Sequence, residues 1–580
     1  MAGSGSLVTR QYANFKGVDF TGENTAEYRS PDSLNMWKNY KTLAKRIETR
    51  PDIESQLTLD NTIFGLFFYT INNVDHWIIH TGTKLIDYNP NTEVETIIKA
   101  SGMNPRKSIM FIYNNILFIK DGINYLEYNG TTLSNVVGTI PLTSIARTPS
   151  GGGTQYQSVN LLSDFRQNNF IGDGTSTEYY LDTQNISNDG VRVWIDDVLQ
   201  NSNTYTINTT GGYITFNTAP GEAETPNVLI EFKKQVSGSA DKIKKCNLAC
   251  IFDNRIFFSG NIDYPNSIFW TERDDPRYIS DISYIMDGDI AQIKAIVPGN
   301  NALWAFKERG QGTTTIFYHT PIDVADDFGN IAKKYPSMHS SIATGCKSTG
   351  INFNDDIVFF SDKGMEGISG DITTEQVVKH RSTLVDSKLL NEANYDNMTL
   401  IEWESYLLVI IDNKIYLADY NQKVNNIDHI EYEWYYWELS DKIKEAQVHD
   451  GVLYLCGEES TVDGVTTAKI YTLTNNNANR TISSYWTTTK DDFKYPNMLK
   501  TTNKRGFKAD VSGNSIVIDV KTDNGNFENL GTYTNTKGYI VAKLKKKKWN
   551  SLQLKFSSTK PFGIYDVVLE SYIGSYVKRS

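Results

Sequence analysis

His76 and His80 flank Trp77-Ile78-Ile79 in this sequence. On a helix that spacing sets two imidazoles one turn apart, where they can hold a metal ion; on a strand it sets them on one face two pleats apart. The neighbouring residues read as strand, so a packed or solvated pair is expected. His449, beside the turn Asp450-Gly451, reads as structural. Acidic residues raise a second chemistry. Paired carboxylates, or a tyrosine nucleophile with an arginine cluster, cleave glycosidic bonds when they point into one pocket. Glu272, Asp274, Asp275 and Arg277 lie close together, Lys307, Glu308 and Arg309 are consecutive, and Glu402 and Glu404 flank Trp403. Charged turn residues are more often solvated, and nothing in the sequence makes these groups converge.

Stretches 182–189 and 323–330 hold acidic residues that could take calcium, but neither has the alternating spacing of an EF-hand loop. The run Ser361-Asp362-Lys363-Gly364-Met365 is only loosely like the Asp-box turn of sialidases and lacks its aromatic residue. Cys246, Cys250, Cys346 and Cys456 are too few for a disulfide framework in a chain this long. Cys246 and Cys250 lack partner ligands at zinc spacing and read as reduced core residues. There is no phosphate loop, no Gly-x-Ser-x-Gly elbow and no His-Glu-x-x-His. We therefore assign no catalytic, cofactor-binding or metal residues, expect no cofactor, and expect a protein that is not an enzyme.

The elements that would position any such groups repeat along the chain. The recurring phrase is an apolar run, a two-residue polar turn and a second apolar strand. It is seen at Ile71-Asn72-Asn73-Val74, Tyr113-Asn114-Asn115-Ile116 and Phe252-Asp253-Asn254-Arg255, with later centres at Asn300-Asn301, Asp355-Asp356, Glu404-Ser405 and Asp450-Gly451. A second hairpin often follows, as at Lys84-Leu85-Ile86-Asp87-Tyr88 and Lys414-Ile415-Tyr416-Leu417. The later centres lie about 45 to 55 residues apart, the period of a propeller blade. A blade cannot bury both faces alone, so blades must stack.

Composition agrees. Aromatic residues make up 12% of 580, Tyr, Phe and Thr favour half-buried pleats, and Asn, Asp and Gly supply turns. The fold class expected is all-β: a β-propeller of six to eight blades with an inserted small β-sandwich and a C-terminal β-sandwich or jelly-roll. The expected divisions are an extended N-terminal arm at 1–50, the first part of the propeller at 51–148, the insert at 149–236, the second part at 237–480 and the C-terminal sandwich at 481–580. The insert explains why one interval is stretched. Its ends, Pro149-Ser150-Gly151-Gly152-Gly153 and Val236-Ser237-Gly238-Ser239, read as a flexible tether.

The formal net charge of −11 disfavours general nucleic-acid binding. The one strong basic run, Lys545-Lys546-Lys547-Lys548, reads as a charged turn or blocked edge strand. No secretory apolar region is seen in residues 1–11, and no run is long enough to span a bilayer. Assembly in a cytoplasm without a membrane span is expected.

The stretch from Cys246 through Asp253-Asn254-Arg255-Ile256-Phe257-Phe258, Asn266-Ser267-Ile268-Phe269-Trp270 and Ile296-Val297-Pro298 to Leu303-Trp304-Ala305-Phe306-Lys307 resembles the propeller of tail nozzle, stabilisation or tail-hub proteins of short-tailed phages. The segments Leu34-Asn35-Met36 and Arg46-Ile47-Glu48-Thr49-Arg50-Pro51 are similar to the start of those proteins. The insert, with Gly172-Asp173-Gly174-Thr175 and Val193-Trp194-Ile195-Asp196, looks like a β-module common in phage tails. The resemblance implies a structural virion protein in the tail: a ring, hexameric by analogy, below the portal and adaptor. Such a ring continues and closes the DNA channel for ejection. Implied partners are its own copies, portal and adaptor proteins, tail fibres or spikes, and genomic DNA passing without sequence-specific binding. The alternative is a propeller that binds or hydrolyses host surface glycan, as a receptor-binding protein or depolymerase.

Overall fold

The computed structural model describes residues 6–576 apart from 43–45, 72, 235, 237, 313, 326–330, 341–343, 370–376, 427–428, 476–480, 536–538 and 545–547. It is all-β, with 57% of residues in strands and 2% helical. Two compact units form, one from residues 67–345 and the other from 1–66 with 346–580.

The two-residue turns form for a definite backbone reason. A tight hairpin whose twist matches its strands needs positive φ at its central residues, and Asn, Asp and Gly tolerate this best. Asn114 and Asn115 sit at φ 49° and 60°, Asp253 and Asn254 at 49° and 53°, and Asn300 and Asn301 at 51° and 57°. The flanking residues pair directly: Tyr113 with Ile116, Phe252 with Arg255 and Gly299 with Ala302. One centre is corrected. The turn lies at Asn354-Asp355, because Phe353 pairs with Asp356, and Asp356 is buried. At the first copy, Asn72 lies outside the described residues.

In the 67–345 unit these hairpins extend into four antiparallel sheets of four strands. The first covers 63–99, its leading strand Ile63–Ile71 starting just before the unit. The others cover 109–135, 248–286 and 293–340. Successive sheets share cores. In strand Ile116–Lys120, Leu117 and Ile119 pack with Ile78 and Leu85 of the first sheet, while Phe118 packs with Ile256 and Phe258 of the third. Phe257, on the opposite face, joins Leu303 and Phe317 of the fourth. The second strands Ile116–Lys120 and Arg255–Ser259 are thus covered on both faces, which is why they read as apolar runs rather than alternations.

The insert in this unit has two sheets around one core. A six-stranded sheet includes Phe165–Phe170, Arg192–Ile195 and Val228–Lys233, and a three-stranded sheet holds Tyr205–Asn208 and Tyr213–Phe216. Phe170, Tyr179, Val193, Ile214 and Phe232 fill the space between them. The larger sheet already includes Leu142–Arg147, so it starts before Pro149. The tether expected there is instead fastened. Asn160, fully buried, donates to the carbonyls of Thr139 and Arg277, and its Oδ1 accepts from the Leu162 and Ile279 amides.

In the other unit a four-stranded sheet covers 346–380, and the four strands of 399–438 continue through Met36–Trp37 and Ile47–Thr49 into the C-terminal strands as one 16-stranded sheet. A further sheet is built from Ile443–His449, Val452–Gly457 and Val465–Thr474, and the N-terminal strand Asp52–Asp60 completes it beside Val465–Thr474. Here too neighbours share cores. Leu407 and Val409 face Val358 and Phe360, whereas Tyr406, Leu408 and Ile410 face Leu453 and Leu455. The arm lies along its own chain. Leu7–Ala13 pairs with Phe562–Tyr576, and Ser33–Leu34 pairs with Ser484–Thr487. Gly17, at φ +150°, allows the close approach to Trp434, since a Cβ there would stand 2.3 Å from that residue's carbonyl oxygen. The C-terminal strands, including Met498–Thr522 and Leu552–Ser558, share the core that holds Tyr406 and Leu453.

Candidate functional site

A dense polar cluster lies at one end of the fourth sheet. Strand Ala302–Lys307 ends in a lysine with no solvent exposure. Its Nζ donates to the Asp287 carbonyl at 2.5 Å, the Asp289 carbonyl at 2.7 Å and Asp289 Oδ1 at 2.8 Å. That lysine and the Gly312 amide hold the Asp289 carboxyl down at about 2. Beside it, His319 Nε2 stands 3.0 Å from Asp287 Oδ2, with both side chains fully buried, and Ser337 Oγ donates to Asp287 Oδ1 at 2.5 Å.

Serine, histidine and aspartate in contact suggest nucleophilic catalysis, but the connectivity is wrong for it. A serine nucleophile must bond the imidazole that takes its proton. Here Ser337 and His319 both bond Asp287, and His319 Nδ1 faces the Pro336 carbonyl at 3.3 Å. The cluster ties strand ends together. Sequence reasoning missed Asp287, Asp289 and His319; the available signal was a lysine and a histidine closing otherwise apolar strands.

The second sheet has a related corner. Lys120, 1% exposed, ends Ile116–Lys120 and donates to the Ile243 carbonyl at 2.5 Å. Burial without a carboxylate partner lowers its pKa to about 8. Its ammonium stands 4.3 Å over the Phe258 ring. In the 346–580 unit, Arg381 and Asp356 form a buried two-point pair joined by the Tyr432 hydroxyl at 2.8 Å. Nearby, His380 bonds Asp386 at 2.5 Å and approaches Glu366 at 3.4 Å. Burial pulls the His380 pKa down, but those carboxylates outweigh it and raise the value to about 9.

The residues singled out in the sequence do not converge. Glu272 pairs with Arg255 at 3.0 Å, Asp275 accepts from Thr139, and Arg277 pairs with Glu127 at 2.9 Å. Arg273 stands 3.6 Å from Asp274. Glu308 pairs with Lys294, and Arg309 packs its backbone near Gly345. Glu402 accepts from Asn354 and Glu404 pairs with Lys41. His76 bonds Asp87 at 2.9 Å, while His80 is buried and its pKa is lowered by that burial. His449 stands 3.7 Å from Asp450. Asp182 accepts from Thr143 and Asp189 pairs with Lys233, so residues 182–189 form no shared ligand cage. Asp323 pairs with Lys333, and 326–330 lie outside the described residues. Ser361 is buried and bonds the turn at Lys363 and Gly364. Cys246, Cys346 and Cys456 are buried and Cys250 is half-buried; burial raises Cys246 to about 11 and raises Cys250 further. Of the basic run, Lys545, Lys546 and Lys547 lie outside the described residues. No helix among the described residues is long and apolar enough to cross a membrane.

No protein-family model matches this chain, and no curated protein matches it. Among solved structures it is similar to a chain in a crystal structure of BBS1N in complex with ARL6DN. The identity is 7% over 80% of this chain and 98% of that one, with a TM-score of 0.24. A likeness at that level carries no argument about fold or function.

Proposed function

We propose that the repeated sheets are the blades of a β-propeller and that the protein is a structural wall of a phage tail, not an enzyme. The observation that carries this reading is the pairwise sharing of cores by successive sheets, together with completion of the 443–474 sheet by the N-terminal strand Asp52–Asp60. Sheets covered on both faces and closed by a strand from the other end of the chain are how a propeller removes its open seam. The charged residues that a glycosidase would aim into one pocket are instead spent on separate ion pairs and hydrogen bonds. Virion membership rests on the resemblance carried by residues 246–309.

In this reading the copies form a ring beneath the portal and adaptor, and DNA passes through its centre. The net charge of −11 supports sliding rather than sticking, because a like-charged wall repels the phosphate backbone. Rigid antiparallel blades suit a conduit under internal pressure. Exposed Tyr284 and Met286 on the outer strand of the third sheet, with exposed Ile282 just before it, support contact with a neighbouring copy. Mass photometry and electron microscopy of the purified protein, with a search for it in intact virions, test the proposal. Rings and virion association are expected. A chain that stays monomeric at every concentration and is absent from particles overturns it.

A further inference from the structure

We propose that the cleft where the inserted module meets the third sheet binds a carboxylated saccharide. The inference does not depend on the ring reading. The cleft has a volume of about 610 Å³ and adjoins a second of about 460 Å³, with Val159, Arg166 and Asp281 lining both. These sizes fall in the range that holds small ligands.

Arg166 is the reason to expect an anion. It projects from strand Phe165–Phe170, and among the described residues its guanidinium has no hydrogen bond, ion pair or aromatic partner; its Nε is sealed from solvent and unsatisfied. Other partly buried arginines have partners: Arg29 pairs with Glu433, Arg255 pairs with Glu272, and Arg147 donates to the Tyr180 carbonyl. A partly desolvated guanidinium fork is matched by a carboxylate or phosphate. The Lys245 ammonium is already committed to Asp263 at 2.8 Å, so Arg166 is the open cation together with Lys242, whose Nζ stands 5.4 Å over the Tyr264 ring.

Two further groups narrow the class. Asp281 is held by its own amide on the Val159 carbonyl, and its exposed carboxylate has no hydrogen bond or ion pair among the described residues. It accepts from hydroxyls. Tyr264 is 39% exposed and offers a ring for the C–H face of a sugar. An anion receptor, a hydroxyl acceptor and an aromatic platform in one cleft fit a sugar acid better than nucleic acid or free phosphate. The Asn160 fastening fixes the two walls relative to each other, so the site is preformed.

Titration calorimetry of the full chain tests this, using oligogalacturonate, oligoglucuronate and sialyllactose, with carboxyl-reduced oligogalacturonate and inorganic phosphate as comparisons. At least one acidic saccharide is expected to bind at least tenfold more tightly than its neutral counterpart. Arg166→Gln is expected to lose at least tenfold and Tyr264→Ala several-fold, with melting temperatures near the parent value. If Arg166→Gln does not fold, the acidic-versus-reduced comparison on the parent chain decides. Binding of phosphate alone, equal binding of the reduced sugar, unchanged binding in Arg166→Gln, or no binding at millimolar concentration each overturns the proposal.

Discussion

Lys120 and Lys307 end equivalent strands of the second and fourth sheets, and both are withdrawn from water. Their surroundings differ in one respect. Lys307 has two carbonyls, the Phe317 face and the Asp289 carboxylate, whereas Lys120 has the Ile243 carbonyl, two aromatic faces and no carboxylate. A buried cation is tolerable when its donors and charge are both met, and costly when one acceptor serves its three donors and no anion faces its charge. The same position in the repeat therefore carries a fastening in one sheet and a burden in the other.

The largest expected effect breaks the fastening. Lys307→Met leaves the Asp287 and Asp289 carbonyls without their donor and Asp289 without its cation. It is expected to destabilise the 67–345 unit by about 3 kcal/mol, near the low end for a broken buried pair because Asp289 keeps some solvent contact. Denaturant unfolding, with hydrogen exchange in Ala302–Lys307, measures it. An equal or smaller cost than Lys120→Met would erase the contrast.

Lys120→Met is expected to do the opposite and stabilise by about 1–2 kcal/mol at pH 7. The sign follows from linkage. The folded value of about 8 lies below the ordinary lysine value of 10.5, so between those pH values the unfolded chain binds more protons. Stability of the parent therefore rises with pH across that window, and the gain from Lys120→Met fades over it. Unfolding midpoints at pH 7 and above pH 10 check this; a gain that persists unchanged would sink the explanation.

His380 sharpens the comparison from the other unit with the smallest effect. Its folded value of about 9 lies above the ordinary 6.5, so its contribution is complete below pH 6.5 and is lost as pH rises through 9. With the ring partly exposed, about 1 kcal/mol is expected. Hydrogen exchange around Val377–His380 should loosen across that window in the parent and not in His380→Gln.

The repeat itself was plainly legible. Asn114-Asn115 and Asp253-Asn254 announce their turns because few residue pairs accept two positive φ values. The off-by-one reading at Asp355 arose because Asn354, Asp355 and Asp356 all suit a turn, and only the ion pair with Arg381 shows that Asp356 points inward. Lys307 was noticed as one of three consecutive charged residues, yet nothing local separates it from Glu308, which reaches solvent. In the sequence Lys120 looks like any lysine at a strand end. Burial of such groups is decided by carbonyls from distant segments, Ile243 for one and Asp287 for the other, and pattern along the chain does not carry that information. The insert was legible as an interruption, but its glycine-rich border suggested a loose hinge, and the single residue that cancels the hinge, Asn160, has no distinctive neighbours.

Completion of the 443–474 sheet by Asp52–Asp60 also sets an order of events during synthesis. Asp60 leaves the ribosome early, but its partner Thr467 is among the later residues to emerge. Local hairpins such as that at Asn114-Asn115 need only neighbouring residues and can form at once, whereas this pairing must wait for most of the chain. Until then Asp52–Asp60 presents an unpaired strand edge in a crowded cell. Its surface carries Asp52, Glu54 and Asp60, charges that discourage pairing with the wrong partner during that wait.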